Sequence, residues 1–489
     1  MRALTLIFEH ARRTPAKIAL VYDGVAIDYM QFARCIAATQ QHLSRLNLPP
    51  GSVAIIASAN LRDAWVLLFA LRSLGLSTVA ARTAEDIQTL GLSHIACVVL
   101  SSAGDRQASM GPPADFPWRW VHVPRSALEA TAPLVIADVP LTPAPAAGHI
   151  LRTSGTTGIR KQLLRDVATE SRGIEPYAQI NAMTSESVVY VADYALWTGA
   201  GYRWPLTVWS LGGTVVIQPP PHLSHPLAGH DFSHVLMTPD KLTELLRDPA
   251  TAPRRNETLR LMVTGGALSR ALLADALRRL TPRVYSVLAA TEVSIFAVTP
   301  LLQPQDLLWH HIHPSREVQV VDEDDRMLGP GLEGQVRVRV ADGLAGYLDD
   351  EAVTRSHFRA GFFYPGDLGI FGADGRLSLR GRASDVINVL GSKIAAAPIE
   401  RALQERLRVS AVCIIALQGV VIDEELHLII ETPHAIELEQ LRAARDAEFG
   451  ILRALPLQVH FTAGLPRNEM GKVQRLVLRQ ELLRLRQGR

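Results

Sequence analysis

Leu151-Arg152-Thr153-Ser154-Gly155-Thr156-Thr157-Gly158-Ile159-Arg160-Lys161 is the stretch from which the rest of the chain is read. It follows the apolar Gly148-His149-Ile150, which has the character of a strand end. Gly155 and Gly158 permit backbone conformations closed to other residues. Thr153, Ser154, Thr156 and Thr157 add hydroxyls to the exposed amides, and Lys161 adds a positive charge. Such a loop can cradle a polyphosphate. It lacks the G-x-x-x-x-G-K-[ST] spacing of a Walker A loop. A loop rich in Ser, Thr and Gly is also an ordinary turn sequence, so its meaning depends on what surrounds it.

On either side of the loop, apolar runs of strand length at 53–57, 98–100, 188–191, 214–217 and 259–263 alternate with helix-like segments. This is the alternation of α/β layers around a largely parallel sheet. Ser269 is suited to cap a helix in which Leu272, Leu273, Ala276, Leu277 and Leu280 mark one face. Between Val318 and Leu379 short β runs are punctuated by Gly-Pro-Gly and two Ala-Asp-Gly turns, which predicts antiparallel hairpins in a barrel-like subdomain. From Val386 onward a small α+β unit is expected, its first helix marked by Pro398 at an N1-like position with Ile399, Ala402, Leu403 and Leu407 facing inward. The expected division is a large N-terminal domain over 1–384 and a C-terminal domain over 385–489.

With 489 residues the chain exceeds one compact core. Its formal charge is +2 and its charges are interspersed, which does not advertise nucleic-acid binding. Arg475, Arg479, Arg484, Arg486 and Arg489 gather on a leucine-rich terminal helix, read here as a solvated face. Cys35, Cys97 and Cys413 are far apart and set in apolar stretches, as suits buried thiols in a reducing compartment, and a cytoplasmic protein is expected. The most membrane-like stretch, 194–217, is interrupted by Arg203, Pro205 and Gly212-Gly213, so no membrane span is expected.

Thr-Ser-Gly-Thr-Thr-Gly-x-x-Lys resembles the phosphate loop of the adenylate-forming superfamily of acyl-CoA synthetases, peptide-synthetase adenylation domains and luciferases. Four further segments agree in order: Gly265-Gly266-Ala267, Thr291-Glu292, Gly366-Asp367 with Gly381-Arg382-Ala383-Ser384-Asp385, and Pro466-Arg467-Asn468-Glu469-Met470-Gly471-Lys472. The resemblance implies ATP and Mg²⁺ as cofactors. It also implies a small C-terminal domain that swings about Asp385, bringing Lys472 to the site in one pose and Gly391, beside a thiol tunnel, in the other. Gly265, Gly266 and Ala267 would lie beside adenine, Asp367 and Arg382 at the ribose, and the loop residues 153–158 with Lys161 at the phosphates.

The chemistry of each residue fits its implied place. Glu292 is a hard oxygen ligand suited to Mg²⁺, and Thr291 can hydrogen-bond the α-phosphate. Asp367 can accept two ribose hydroxyls. Lys472 would bridge the two anions that meet when a carboxylate attacks the α-phosphorus, where a cation is worth most in the transition state. Gly391 leaves room for a pantetheine arm near the backbone. Arg160, Gln162, Ala289 and Asn388 depart from the family's usual residues and weaken any transfer of substrate identity.

Tyr194, Trp197, Tyr202 and Trp204, with Trp209 beyond them, make an aromatic density that suits either an aryl-acid pocket or ordinary core. No aspartate other than Asp193 offers itself as partner to a substrate amino group. The leading expectation is an acid:CoA ligase. An acyl-AMP ligase loading a carrier protein's phosphopantetheine, a ligase with an amine acceptor, and a non-catalytic nucleotide-binding protein stay open, as do the acid and the oligomeric state.

Overall fold

The computed structural model describes residues 2–101, 117–131, 147–153, 161–191, 194–217, 231–247, 255–266, 268–389, 392–417, 425–432, 434, 436–467 and 473–487. The loop residues 154–160, and with them Ala267, Gly391 and Lys472, lie outside the described residues.

Two layered sheets carry the first two-thirds of the chain. The larger has eight strands. Six of these, including Ile18–Tyr22, Val188–Val191, Thr214–Ile217, His234–Met237 and Arg260–Val263, run parallel, and Val25–Asp28 and Ser294–Pro300 close its edges antiparallel. The second sheet has six strands, parallel except for the last, where Lys161–Asp166 folds back on Gly148–Thr153. The strand-length apolar runs fall inside these strands because a parallel sheet covered on both faces has no solvated side for alternating polar residues. Ser269 caps the helix Arg270–Arg279 by accepting from the Leu272 amide, and Leu273 and Ala276 are its buried face. The 194–217 stretch contains the 13-residue helix Gly199–Leu211, and among the described residues no helix is long and apolar enough to cross a membrane.

Six strands between Val318 and Arg382 form the antiparallel sheet that the Gly- and Asp-rich turns lead one to expect. The C-terminal part has its own core around Leu403, Ile414, Leu428 and Leu452. There the helix Ala396–Leu407 packs on the strands Ala411–Leu417, Glu425–Glu431 and Leu457–Thr462. Pro398 is the third residue of that helix rather than the first, still within the turn whose amides have no intrahelical partner. The three cysteines are free thiols, all buried.

His149 shows how strictly polar groups are matched inside. It is fully buried, its Nε2 is 3.0 Å from the Leu196 carbonyl and its Nδ1 2.9 Å from the Thr78 hydroxyl. The neutral ring satisfies both by donating from Nε2 and accepting at Nδ1. Burial therefore pushes its pKa down to about 3. A base with a depressed native pKa leaves the unfolded chain as the better proton acceptor, so stability present above about pH 6.5 is lost as the pH falls towards 3. Thermal midpoints measured between neutral and mildly acidic pH should fall, and less steeply in a folded His149→Gln variant. An equal slope in that variant would remove His149 as the source.

Candidate active site

Thr153 and Lys161 are directly paired, so the phosphate-type loop joins the two strands of one hairpin at its turn end. Lys161 is partly buried there. Its Nζ lies 2.9 Å from His357 Nε2 and 5.1 Å from the centre of the Tyr347 ring. Burial lowers the lysine pKa, Glu292 and Asp350 oppose the shift, and Arg382 adds to it. The Tyr347 hydroxyl in turn donates to Glu292 Oε1 at 2.7 Å, and the Glu292 residue is 7% exposed. Burial first, and then Glu292, raise the tyrosine pKa. Lys161, Tyr347, His357 and Glu292 thus form one contiguous polar cluster.

Thr291 and Glu292 turn between the strands Arg283–Ala290 and Ser294–Pro300. Their carbonyls are held by one buried guanidinium: Arg165 Nη2 donates to Thr291 at 2.6 Å and to Glu292 at 2.9 Å. Arg165 also pairs with Asp342, which receives Arg203 at 2.9 Å, and the Asp342 carbonyl takes two bonds from Arg172 at 3.0 and 2.8 Å. Burial and then Arg203 depress the Arg165 pKa to about 10 despite Asp342. Burial alone would raise that of Asp342, but Arg165 and Arg203 hold it below the usual carboxylate range. Removing the carboxylate leaves two guanidiniums facing each other out of water. Asp342→Ala should therefore cost about 3–5 kcal/mol in denaturant unfolding. A loss under about 1 kcal/mol would mean the pair is no more than a surface-type bridge.

Asp367 and Arg382 face each other across paired strands, with Arg382 Nε 2.9 Å from Asp367 Oδ1. Arg382 also donates to the Pro365 carbonyl. Gly366, just before Asp367, has φ +80°, a left-handed conformation that favours glycine. Gly265 likewise has φ +87°, and a Cβ on Gly266 would sit 3.4 Å from Pro239. Next to Pro239, Asp240 lies 3.9 Å from Arg467, whose Nη2 is anchored 2.8 Å from Glu431. Arg467 pairs with Val473 in an isolated antiparallel bridge. Arg467, five residues before Lys472, is thereby brought to Asp240, the neighbour of the proline that faces Gly266. Asp385 is 3.0 Å from Arg475, which also binds Glu400 at 2.5 Å.

The four aromatics have different surroundings. Tyr202 donates to Glu170, receives Arg72 at 2.7 Å, stacks on Trp65, and borders a small cavity with Arg165 and Arg203. Trp197 lies under Arg82 at 4.9 Å, and Tyr194 under Lys241 at 5.6 Å. Trp204 is 0% exposed and meets His234 edge-on. Tyr347, His357, Arg165 and Asp342 belong to the site and carry no sequence signal comparable to the motifs. Gly346-Tyr347, after a turn-rich stretch, is the nearest to one.

The family model of the AMP-binding enzymes matches residues 7–348. The chain belongs to the AMP-binding enzyme family. As an AMP-binding enzyme it is similar to several kinds of adenylate-forming protein. The salicyl-AMP ligase / salicyl-S-ArCP synthetase of Mycobacterium tuberculosis is 25% identical over 97% of this chain and 90% of its own length. A medium-chain fatty-acid–CoA ligase of Escherichia coli is 27% identical over 50% of this chain and 44% of its own length. In structure, the amide bond synthetase McbA of Marinactinospora thermotolerans superposes with a TM-score of 0.81 at 20% identity, covering 98% of this chain and 99% of that one. The large and small domains expected from the sequence are the architecture of these neighbours.

Proposed function

We propose that this enzyme activates a carboxylic acid with ATP, releasing pyrophosphate, and passes the acyl group from the acyl-AMP to the thiol of CoA. The observation that carries the reading is the gathering of Lys161, Glu292, Tyr347 and Arg382 at the turn end of the loop hairpin, with Arg467 near Asp240.

In this reading Thr153, Ser154, Gly155, Thr156, Thr157, Gly158 and Lys161 hold the phosphates, and Gly265, Gly266 and Ala267 flank adenine. Asp367 accepts the ribose hydroxyls while Arg382 fixes its carboxylate. Thr291 meets the α-phosphate. Among the described residues no three His, Cys, Asp or Glu side chains form a closed metal cage. Mg²⁺ needs none, because it commonly takes one or two carboxylates and lets phosphates and water complete its shell. Glu292 fits that part, and the ion would supply charge neutralisation at the phosphates. Lys472 balances charge as the acid oxygen bonds to the α-phosphorus and the bond to pyrophosphate breaks.

Asp385 is the proposed hinge between a domain over 1–384 and one over 385–489, and its ion pair with Arg475 ties it to the helix that follows Lys472. Rotation there would exchange Lys472 for Gly391, after which the thiol attacks the acyl carbon and AMP departs. Tyr194 and Trp197 are the proposed acid-side aromatics, while Trp204 and Tyr202, the latter bonded to Arg72 and Glu170, serve the core. Buried free thiols suit the cytoplasm.

A second reading, transfer to a carrier protein's phosphopantetheine, is favoured by the full-length similarity to the salicyl-S-ArCP synthetase. Thioester formation assayed with CoA, with a phosphopantetheinyl carrier and with amines separates the acceptors. Turnover confined to the carrier would replace CoA in this account.

A further inference from the structure

His357 ends the helix Glu351–His357 and belongs to none of the sequence motifs. Its Nε2 lies 2.9 Å from Lys161 Nζ, and its Nδ1 3.1 Å from the Val353 carbonyl and 2.8 Å from the Ser356 hydroxyl. An ammonium donates and has no lone pair, so Nε2 must be the accepting nitrogen and the ring proton sits on Nδ1, aimed at Val353. Without nucleotide, the pair is a charged lysine against a neutral imidazole.

The groups around the ring keep it neutral. Lys161 faces it from the loop hairpin and Arg382 from the strand Leu377–Arg382. Glu292 is the opposing carboxylate, already bonded to Tyr347. Tyr347 meets the ring edge-on at 5.8 Å and Phe363 stacks at 6.3 Å, so two aromatic walls limit its hydration. Burial first, and then Lys161, lower the histidine pKa. A polyphosphate laid against Lys161 would reverse this balance, because it brings several negative charges within hydrogen-bonding reach of Nε2.

We propose that His357 is a second phosphate-contacting residue: neutral in the free enzyme, it takes up a proton as nucleotide binds, so that it and Lys161 present two positive charges. This rests on the nucleotide reading of the loop given above. His357 also explains how the site tolerates a partly buried Lys161 without nucleotide, since the imidazole lone pair stands where a phosphate oxygen will later accept.

Calorimetric titration of the full-length enzyme with MgATP and no acid, in buffers of different ionisation heat near pH 7, counts the protons exchanged. The wild type should take up a fraction of a proton per nucleotide, and His357→Gln and His357→Asn should take up none. In the variants KM for ATP should rise about three- to tenfold below about pH 7 with kcat less affected, and should converge on the wild type above about pH 8. Should both variants fail to fold, the wild-type histidine ring signals decide: one titration midpoint must move upward when MgATP is added. Nucleotide binding without proton uptake, or equal uptake in a folded variant, overturns the role of His357. No MgATP binding at all removes the nucleotide reading and this inference with it.

Discussion

Lys472→Ala is expected to lose acid-dependent pyrophosphate exchange by about 10² to 10³ while keeping its affinity for MgATP. The effect is electrostatic. The attacking carboxylate and the α-phosphate are both anions, and charge grows on the phosphoryl oxygens as the leaving bond stretches. A cation that reaches both stabilises that arrangement more than either separated partner, so its removal appears in kcat rather than in nucleotide binding. The bridge Arg467–Val473 and the approach of Arg467 to Asp240 tie the flanks of Lys472 to the helix that begins at Pro239, which faces Gly266. Thioester formation from a supplied acyl-AMP should survive the substitution, because that half-reaction no longer needs the bridge. Unchanged exchange in Lys472→Ala would remove this residue from the first step.

Glu292→Gln should be nearly as damaging. The amide can still accept from the Tyr347 hydroxyl, so the local fold, held by Arg165 on the backbone, is kept. What is lost is one negative charge in a mostly buried position. That charge is the site's candidate hard ligand for Mg²⁺, and it partly offsets the desolvation of Lys161. Adenylation should fall by about 10² or more, with half-maximal Mg²⁺ moved to higher concentration. A variant with full activity and an unaltered Mg²⁺ requirement would show Glu292 to be structural only.

Some elements of the fold are directly readable from the sequence. Strands such as Val188–Val191 and Thr214–Ile217 were legible because sheets covered on both faces need unbroken apolar runs, and the Ser269 cap because hydroxyl and helix start are adjacent in the chain. The loop and the Thr291-Glu292 pair were legible as short local motifs. The groups that hold those motifs were not. Lys161 meets His357 across 196 positions, and Arg165 meets Asp342 across 177, so neither pair leaves a spacing to read. Aromatic density alone does not separate apolar packing from an acid pocket, since both draw on the same residues. Trp204 lies in the core and Tyr202 is tied to Arg72 and Glu170. The departure at Gln162 lies within the hairpin strand Lys161–Asp166, where its side chain bonds the Leu90 carbonyl at 2.5 Å, a structural use that the motif alone does not reveal.

ATP–pyrophosphate exchange, measured with Mg²⁺ across aryl, short-chain, medium-chain and long-chain acids before any acceptor is added, decides whether the enzyme forms an acyl-adenylate. Exchange that depends on one class of acid and disappears in Lys472→Ala is the expected result. No exchange with any acid, from an enzyme shown by calorimetry to bind MgATP, would contradict adenylate formation and leave a nucleotide-binding protein without this chemistry.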